Sequence, residues 1–235
     1  MKRILILTLL GLPLSLAAQT ANVPPQEPQK SIHQMEAEAH DPTPVFQAWK
    51  EALSKIKNYE CTLVSEVWKG DKKEYKVYEY HYVHPDFVKM KVIKGDSKGG
   101  EAYYDPTSGK VRARKTGLLS VVRLTLDPTD KKVTSIRGHK ITETSFFYYY
   151  NKWKNYTTYA NVYRDTLDNG HVVLVAEGLK PEENYGAVKA TLEFDPTTHL
   201  PVKLEEFDAS GKVIHRVVYR DVRINTGETP EDLRF

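Results

Sequence analysis

Residues 95–99, Gly-Asp-Ser-Lys-Gly, carry the G-x-S-x-G spacing that exposes a serine nucleophile at a strained strand-to-helix turn. The chemistry would be acyl transfer, with Ser97 as nucleophile and the start of the helix helping to stabilise the oxyanion. The residues that follow do not supply that helix. After Gly99 and Gly100 the chain reads EAYYDPTSGKV, in which Asp105-Pro106 and Ser108-Gly109 break any helix within two turns. Gly95, Gly99 and Gly100 read instead as hairpin residues that supply positive φ angles, and Ser97 as a turn residue.

The other reactive side chains are scattered. His81 and His84 would share one side of a helix, but on an alternating strand their odd offset sends them to opposite faces. His139, His171, His199 and His215 fall in different elements with no second ligand nearby in sequence, so solvated or hydrogen-bonded histidines are expected and no metal residue is assigned. Glu182-Glu183 lies in a loop and Glu205-Glu206 alternates across a strand, so both pairs read as solvated charge. There is no Walker loop, no Rossmann glycine fingerprint and no zinc-finger spacing. The expectation is a non-enzyme with no catalytic residue and no cofactor.

The elements that would position these residues are mostly strands. DPTPVFQAWKEALSKIKNY predicts a helix, with Thr43 as cap, Pro44 at the first helical position and Phe46, Trp49, Leu53 and Ile56 on one stripe. From Tyr59 the period changes to alternation, in short runs rich in Val, Tyr, Thr and Ile closed by Gly, Pro or Asp. One interruption, ITETSFFYYYNKWKNY, predicts a second helix capped by Thr142 or Thr144, with Phe146, Phe147, Tyr150 and Trp153 at helical offsets. Strands then resume, punctuated by the hairpin turns Asp168-Asn169-Gly170 and Ala209-Ser210-Gly211. The total is about eleven strands and two helices in an antiparallel, mainly β (α+β) domain over 43–235.

The N-terminus has another purpose. MKRILILTLLGLPLSLAAQ has a basic start, an apolar run from Ile4 to Leu16 and small residues around Ala17 and Ala18, the anatomy of a cleaved signal peptide over 1–18. A proline-rich, flexible lead-in over 19–42 follows. The only cysteine, Cys61, lies far from the cleavage site, which argues against lipid attachment there, and is expected to be a buried small residue. The formal net charge of +3 includes two basic residues of the signal, so no nucleic-acid partner is expected.

What remains is apolar surface. Val88, Met90 and Val92 share one strand face, Val122, Leu124 and Leu126 a second, and Val188, Ala190, Leu192 and Phe194 a third. The fifteen tyrosines suit a lining that tolerates both lipid chains and water.

In order, YECTLVSEVWKGDK, HPDFVKMKVIKG with GEAYYDPTSGKV, LTLDP with ITETSFFYYYNKW, and HRVVYRDVRINTGETPEDLRF resemble the bacterial LolA/LolB-like lipoprotein-carrier superfamily, over roughly residues 44–235. The branch most alike is that of outer-membrane lipoprotein-sorting proteins. The resemblance implies an incomplete barrel round an apolar cavity, with a helical lid and no catalytic residue. It implies a periplasmic, monomeric carrier of lipid or lipidated protein that touches membranes only transiently. Under this reading Val88, Met90, Val92, Val122 and Leu124 line the cavity, and Phe146, Phe147 and Trp153 belong to the lid. The alternative is an envelope structural or sensing module that uses the same fold to bind another protein.

Overall fold

The computed structural model describes residues 39–115 and 123–235. The signal segment, the lead-in up to residue 38 and Val122 lie outside them. The elements in chain order are α1 (Thr43–Ser54), β1 (Asn58–Lys69), β2 (Lys72–Val83), β3 (Phe87–Gly95), β4 (Gly100–Asp105), β5 (Lys110–Lys115) and β6 (Arg123–Leu126). After a long segment and a 3-10 turn (Ile141–Glu143) come α2 (Phe146–Tyr156), β7 (Asn161–Thr166), β8 (Val172–Glu177), β9 (Lys189–Phe194), β10 (Pro201–Phe207), β11 (Val213–Ile224) and the short α3 (Pro230–Leu233).

The described strands form one antiparallel sheet in the order β6-β5-β4-β3-β2-β1-β11-β10-β9-β8-β7. The chain therefore runs out along one arm, crosses over through α2, and returns along the other arm until β11 pairs with β1. The sheet does not close, because β6 and β7 stand at opposite ends of the order. Alternation makes one face apolar, and α1 and α2 cover part of it.

Both helices are amphipathic, but their starts differ from expectation. In α1 the stripe of Phe46, Trp49 and Leu53 is buried as the spacing predicts. Pro42, not Thr43, is the cap residue; its carbonyl accepts the Phe46 N–H at 3.2 Å, while the Asp41 carboxylate accepts the Thr43 N–H at 2.9 Å. In α2 the cap is Ser145, not Thr142 or Thr144: its hydroxyl accepts the Tyr148 N–H at 3.0 Å. Ile141–Glu143 form the preceding 3-10 turn, and Thr144 ends it. The buried stripe is Phe146, Tyr149, Trp153 and Tyr156, which leaves Phe147 and Tyr150 on its half-buried flank.

The tyrosines build a core more than a lining. Tyr59 stacks on Phe146 with ring centroids 4.4 Å apart, and Tyr80 and Tyr82 stack against Tyr59 at 5.6 and 5.1 Å. Their hydroxyls serve the helix as well. Tyr59 Oη accepts the Phe146 N–H at 3.2 Å, and Tyr219 Oη donates to the Thr144 carbonyl at 2.7 Å. Cys61 is free and buried, and burial pushes its thiol pKa up.

The turn around Ser97 is a hairpin. β4 begins at Gly100, directly after the turn, and Ser97 sits at a φ of 61°. Gly95, at a φ of 91°, packs so closely that a Cβ there would fall 2.1 Å from the Tyr75 carbonyl oxygen. At Gly109, also at positive φ, an added Cβ would meet nothing within 4 Å. Gly109→Ala should therefore cost only the backbone strain of about 1 to 3 kcal/mol. Gly95→Ala adds a steric clash with main chain and should be clearly the less stable of the two in urea denaturation.

Candidate ligand-binding site

The arm β7–β10 presents Leu174, Leu192, Phe194 and Leu204 inward, all buried. α1 and α2 lie over them, with Trp49 edge-on to Phe194 at 5.0 Å and to Tyr150 at 5.2 Å. On the arm β1–β5 the tyrosines of β1 and β2 give way to smaller residues at Ala102 and Ala113 on β4 and β5, and the segment 132–144 lines the space with them. Between the two lies a cavity of about 190 Å³. Its apolar wall includes Leu63, Met90, Val92, Ala102, Ala113 and Val217, and its polar margin includes Lys132, Ser135 and Glu143.

The residues expected to bind lipid are distributed unevenly. Met90 and Val92 line the cavity. Val88 is buried in the same strand and packs into the core. Leu124 is 37 % exposed on β6. Register places it directly beside Ala113, which pairs with Ala102, which pairs with Met90. Side chains at paired positions share one face of a sheet, so these four residues make one apolar row from the cavity wall to the open edge. Phe146 and Trp153 are fully buried core residues. Phe147 stacks on Tyr82 at 5.3 Å and borders a separate open groove shared with α1 and residues 227–230. Of the tyrosines, only Tyr78 and Tyr149 line the cavity among the described residues.

The reading of Glu205 and Glu206 as solvated holds for only one of them. Glu205 points outward into a surface ladder, taking the Arg216 Nε at 2.7 Å, while Arg216 Nη1 reaches Glu66 at 3.0 Å. Glu206 points inward and is 2 % exposed. It is compensated there by Lys152 of α2, whose Nζ lies 3.1 Å from Oε1, and by two histidines on Oε2. His215 Nδ1 is at 2.9 Å and His139 Nε2 at 3.2 Å. The two imidazoles stack with centroids 4.0 Å apart, and both border the cavity.

The electrostatics follow from burial and pairing. Burial alone would raise the Glu206 carboxyl, but Lys152 and the hydrogen bonds from His139 and His215 outweigh it and hold it well below the usual carboxylate range. Burial pulls the Lys152 ammonium down, and the Glu206 charge more than offsets this, so its net direction is up. Burial, then the neighbouring His215, pushes His139 down to about 4, which keeps it neutral near neutral pH. Ser135 Oγ sits 2.9 Å from His139 Nδ1 and accepts the His139 backbone N–H at 3.0 Å.

His139 belongs to the covering segment, which is also held by Arg137. That guanidinium donates to the carbonyls of Tyr185 and Trp68, each at 2.8 Å. A second ion pair, Arg114 with the buried Glu101 at 2.6 Å, lies on the opposite face of the sheet, one position along from Ala102 and Ala113.

Sequence reasoning missed this cluster, though part of its signal was present. The turn Ala209-Ser210-Gly211 fixes a hairpin in which Glu206 and His215 are direct cross-strand partners. The turn marks the hairpin, but a register shift between Glu206 and Phe207 hides the pairing: regular counting outward from Phe207 and Val213 would set Glu206 opposite Ile214, and only the irregularity brings His215 beside it. His81 and His84 do diverge: His81 meets Glu228 at 2.9 Å, while His84 packs on Phe147 at 5.1 Å.

The family model described as "Protein of unknown function (DUF1571)" matches residues 56–235. No curated protein matches the sequence. Among solved structures the chain is similar to an uncharacterised conserved protein from Thermus thermophilus, at 12% identity and a TM-score of 0.50, over 82% of this chain and 93% of that one. It is similar to MucB at 14% identity and a TM-score of 0.49, over 85% of this chain and 63% of that one. It is also similar to a LolA superfamily protein from Nitrosomonas europaea, at 8% identity and a TM-score of 0.39, over 83% and 98% of the two chains. The fold is an open antiparallel sheet with a helical cover, as the order of elements in the sequence implies.

Lys152 gives this site its sharpest test. Lys152→Met leaves the Glu206 carboxylate buried with its ion-pair partner removed, a change that costs about 3 to 5 kcal/mol in such settings. Urea denaturation at neutral pH should show a loss of that size, well beyond that of Lys154→Met on the exposed side of the same helix.

Proposed function

The chain belongs to the DUF1571 family, and we propose that it is a periplasmic, non-enzymatic carrier that takes an acyl chain of a lipid or lipoprotein on the concave face of its half-barrel. The observation that carries this reading is the row Met90–Ala102–Ala113–Leu124, which leads from the cavity wall to the free edge of the sheet. An exposed leucine at the end of an apolar row, buried at Met90 and half-buried at the two alanines, is what a chain lying along that row would cover.

The cavity, at about 190 Å³, is smaller than the roughly 300 to 1,000 Å³ of sites that enclose a whole ligand. It suits the end of one chain, with the remainder following the row toward Leu124. Lys132 at the polar margin favours an anionic head group. Met90, Val92 and Leu124 are then the acyl contacts, while Phe146 and Trp153 hold the cover in place from within the core.

The same edge supports a second reading. Among the described residues β6 pairs only with β5, and a free strand edge with an exposed leucine can accept a strand from an envelope protein.

Titration with a fluorescent fatty-acid probe tests the first reading. Ala102→Phe fills the row, and probe affinity should fall about tenfold or more, equivalent to about 1.4 kcal/mol. Phe146→Ala opens a hole in the core and should cost about 3 to 5 kcal/mol of stability while leaving probe affinity within a few-fold. Absence of probe binding, or affinity untouched by Ala102→Phe, would remove the carrier reading. A stoichiometric protein partner without lipid, found by mass spectrometry of native extracts, would favour the module.

A further inference from the structure

We propose that His139, Glu206 and His215 form a binding site for a divalent transition metal of the zinc class at the wall of the cavity. Two imidazoles and one carboxylate are a donor set that zinc takes while keeping a further position open. The three donor atoms all lie within 4.8 Å of one another. Glu206 Oε2 is 2.9 Å from His215 Nδ1 and 3.2 Å from His139 Nε2. Bonds of about 2.0 to 2.2 Å to a shared tetrahedral ion put neighbouring donors about 3.3 Å apart, close to the spacing of Glu206 Oε2 from each imidazole.

The surroundings also suit a ligand set. Metal-bound histidines and carboxylates are commonly oriented by outer hydrogen bonds. Ser135 Oγ stands at His139 Nδ1, and Lys152 Nζ holds Glu206 Oε1, leaving Oε2 for the ion. Binding needs no net loss of a proton from a neutral imidazole. The His139 proton moves from Nε2 to Nδ1, where Ser135 Oγ can accept it, the His215 proton moves from Nδ1 to Nε2, and the lone pairs of His139 Nε2 and His215 Nδ1 go to the metal. The Lys152 charge opposes a dication, but it also neutralises Glu206 when no ion is bound, which lets a buried carboxylate persist in the folded protein.

The consequence is mechanical as well as chemical. His139 comes from the covering segment, while Glu206 and His215 come from β10 and β11. An ion bound by all three would fasten the cover to the sheet. Because both histidines border the cavity, the remaining position can take water or a ligand oxygen. The inference stands on these three residues and does not depend on the acyl-chain reading.

The test is metal binding by the purified protein, with Co²⁺ as a visible probe and Zn²⁺ as competitor. A saturable, tetrahedral-type Co²⁺ absorption displaced by Zn²⁺ is expected. His139→Ala and His215→Ala should each weaken Co²⁺ binding by about 100-fold or more, at or beyond the upper end of the effect of an outer-shell partner. His81→Ala, in the separate group with Glu60 and Glu228 on the other face, should leave the absorption unchanged. X-ray absorption of the zinc-loaded wild type, which needs no variant to fold, should show two imidazole ligands. No saturable binding, fewer than two imidazoles, or unchanged affinity in both histidine variants overturns the assignment.

Discussion

The docking of α2 on Tyr59 is the contact around which the molecule is arranged. α2 is the crossover between the two arms, and its first residue stacks on a tyrosine from the strand where those arms meet. The stack is aromatic, but the placement is polar: the Tyr59 and Tyr219 hydroxyls take up the Phe146 N–H and the Thr144 carbonyl at the helix entrance. A buried helix terminus needs such partners. Supplying them from the sheet fixes both the height and the rotation of α2. That rotation in turn points Trp153 at the core and brings Lys152 to Glu206.

An inward carboxylate on a strand would ordinarily weaken a fold of this kind, since burying an unpaired charge costs several kcal/mol. Here the compensation comes from three places at once: α2 gives Lys152, β11 gives His215, and the covering segment gives His139. The group links α2, β10, β11 and the covering segment through one carboxylate, beside the tyrosine hydroxyls at the α2 entrance. Apolar contacts alone are tolerant of sliding, whereas hydrogen bonds to one carboxylate are directional. The cover is thereby held in one position over the cavity, with Arg137 fixing its other side.

The sheet was legible because alternation, turn glycines and strand residues all report on local backbone, and nothing at a distance contradicts them. The hairpin at Ser97 was legible for the same reason: the nucleophile motif was rejected because residues 101–109 would not make a helix. Cap residues were less so. Thr43, Thr142 and Thr144 have the right chemistry, and the choice of Pro42 and Ser145 depends on where tertiary packing starts each helix. The assignment of Phe146 and Trp153 to a lid followed from a helix lying over a concave sheet; which of its residues meet other side chains, and which meet a cavity, depends on the opposing strand. The Glu206 cluster was the least visible, because His139 is 67 residues from Glu206 in the chain and no periodicity links them.

Why the cavity lies on one arm and not the other follows from side-chain size along the paired rows. On the β8–β10 arm the row Leu174–Leu192–Leu204 meets large partners, and Trp49 and Trp153 fill the space above the arm. On the other arm the row runs Tyr80–Met90–Ala102–Ala113–Leu124, with its smallest residues in the middle. The two alanines sit side by side on adjacent strands, and the segment above them carries Lys132, Ser135 and Glu143 beside Val133 and Ile141, so that lowering it to fill the gap would bury charge. Closing the space from below would need larger side chains on β4 and β5. Leaving it open keeps the row continuous from the centre of the sheet to the exposed leucine at its edge, so the groove is a product of residue volume at two positions and of the polarity of what covers them.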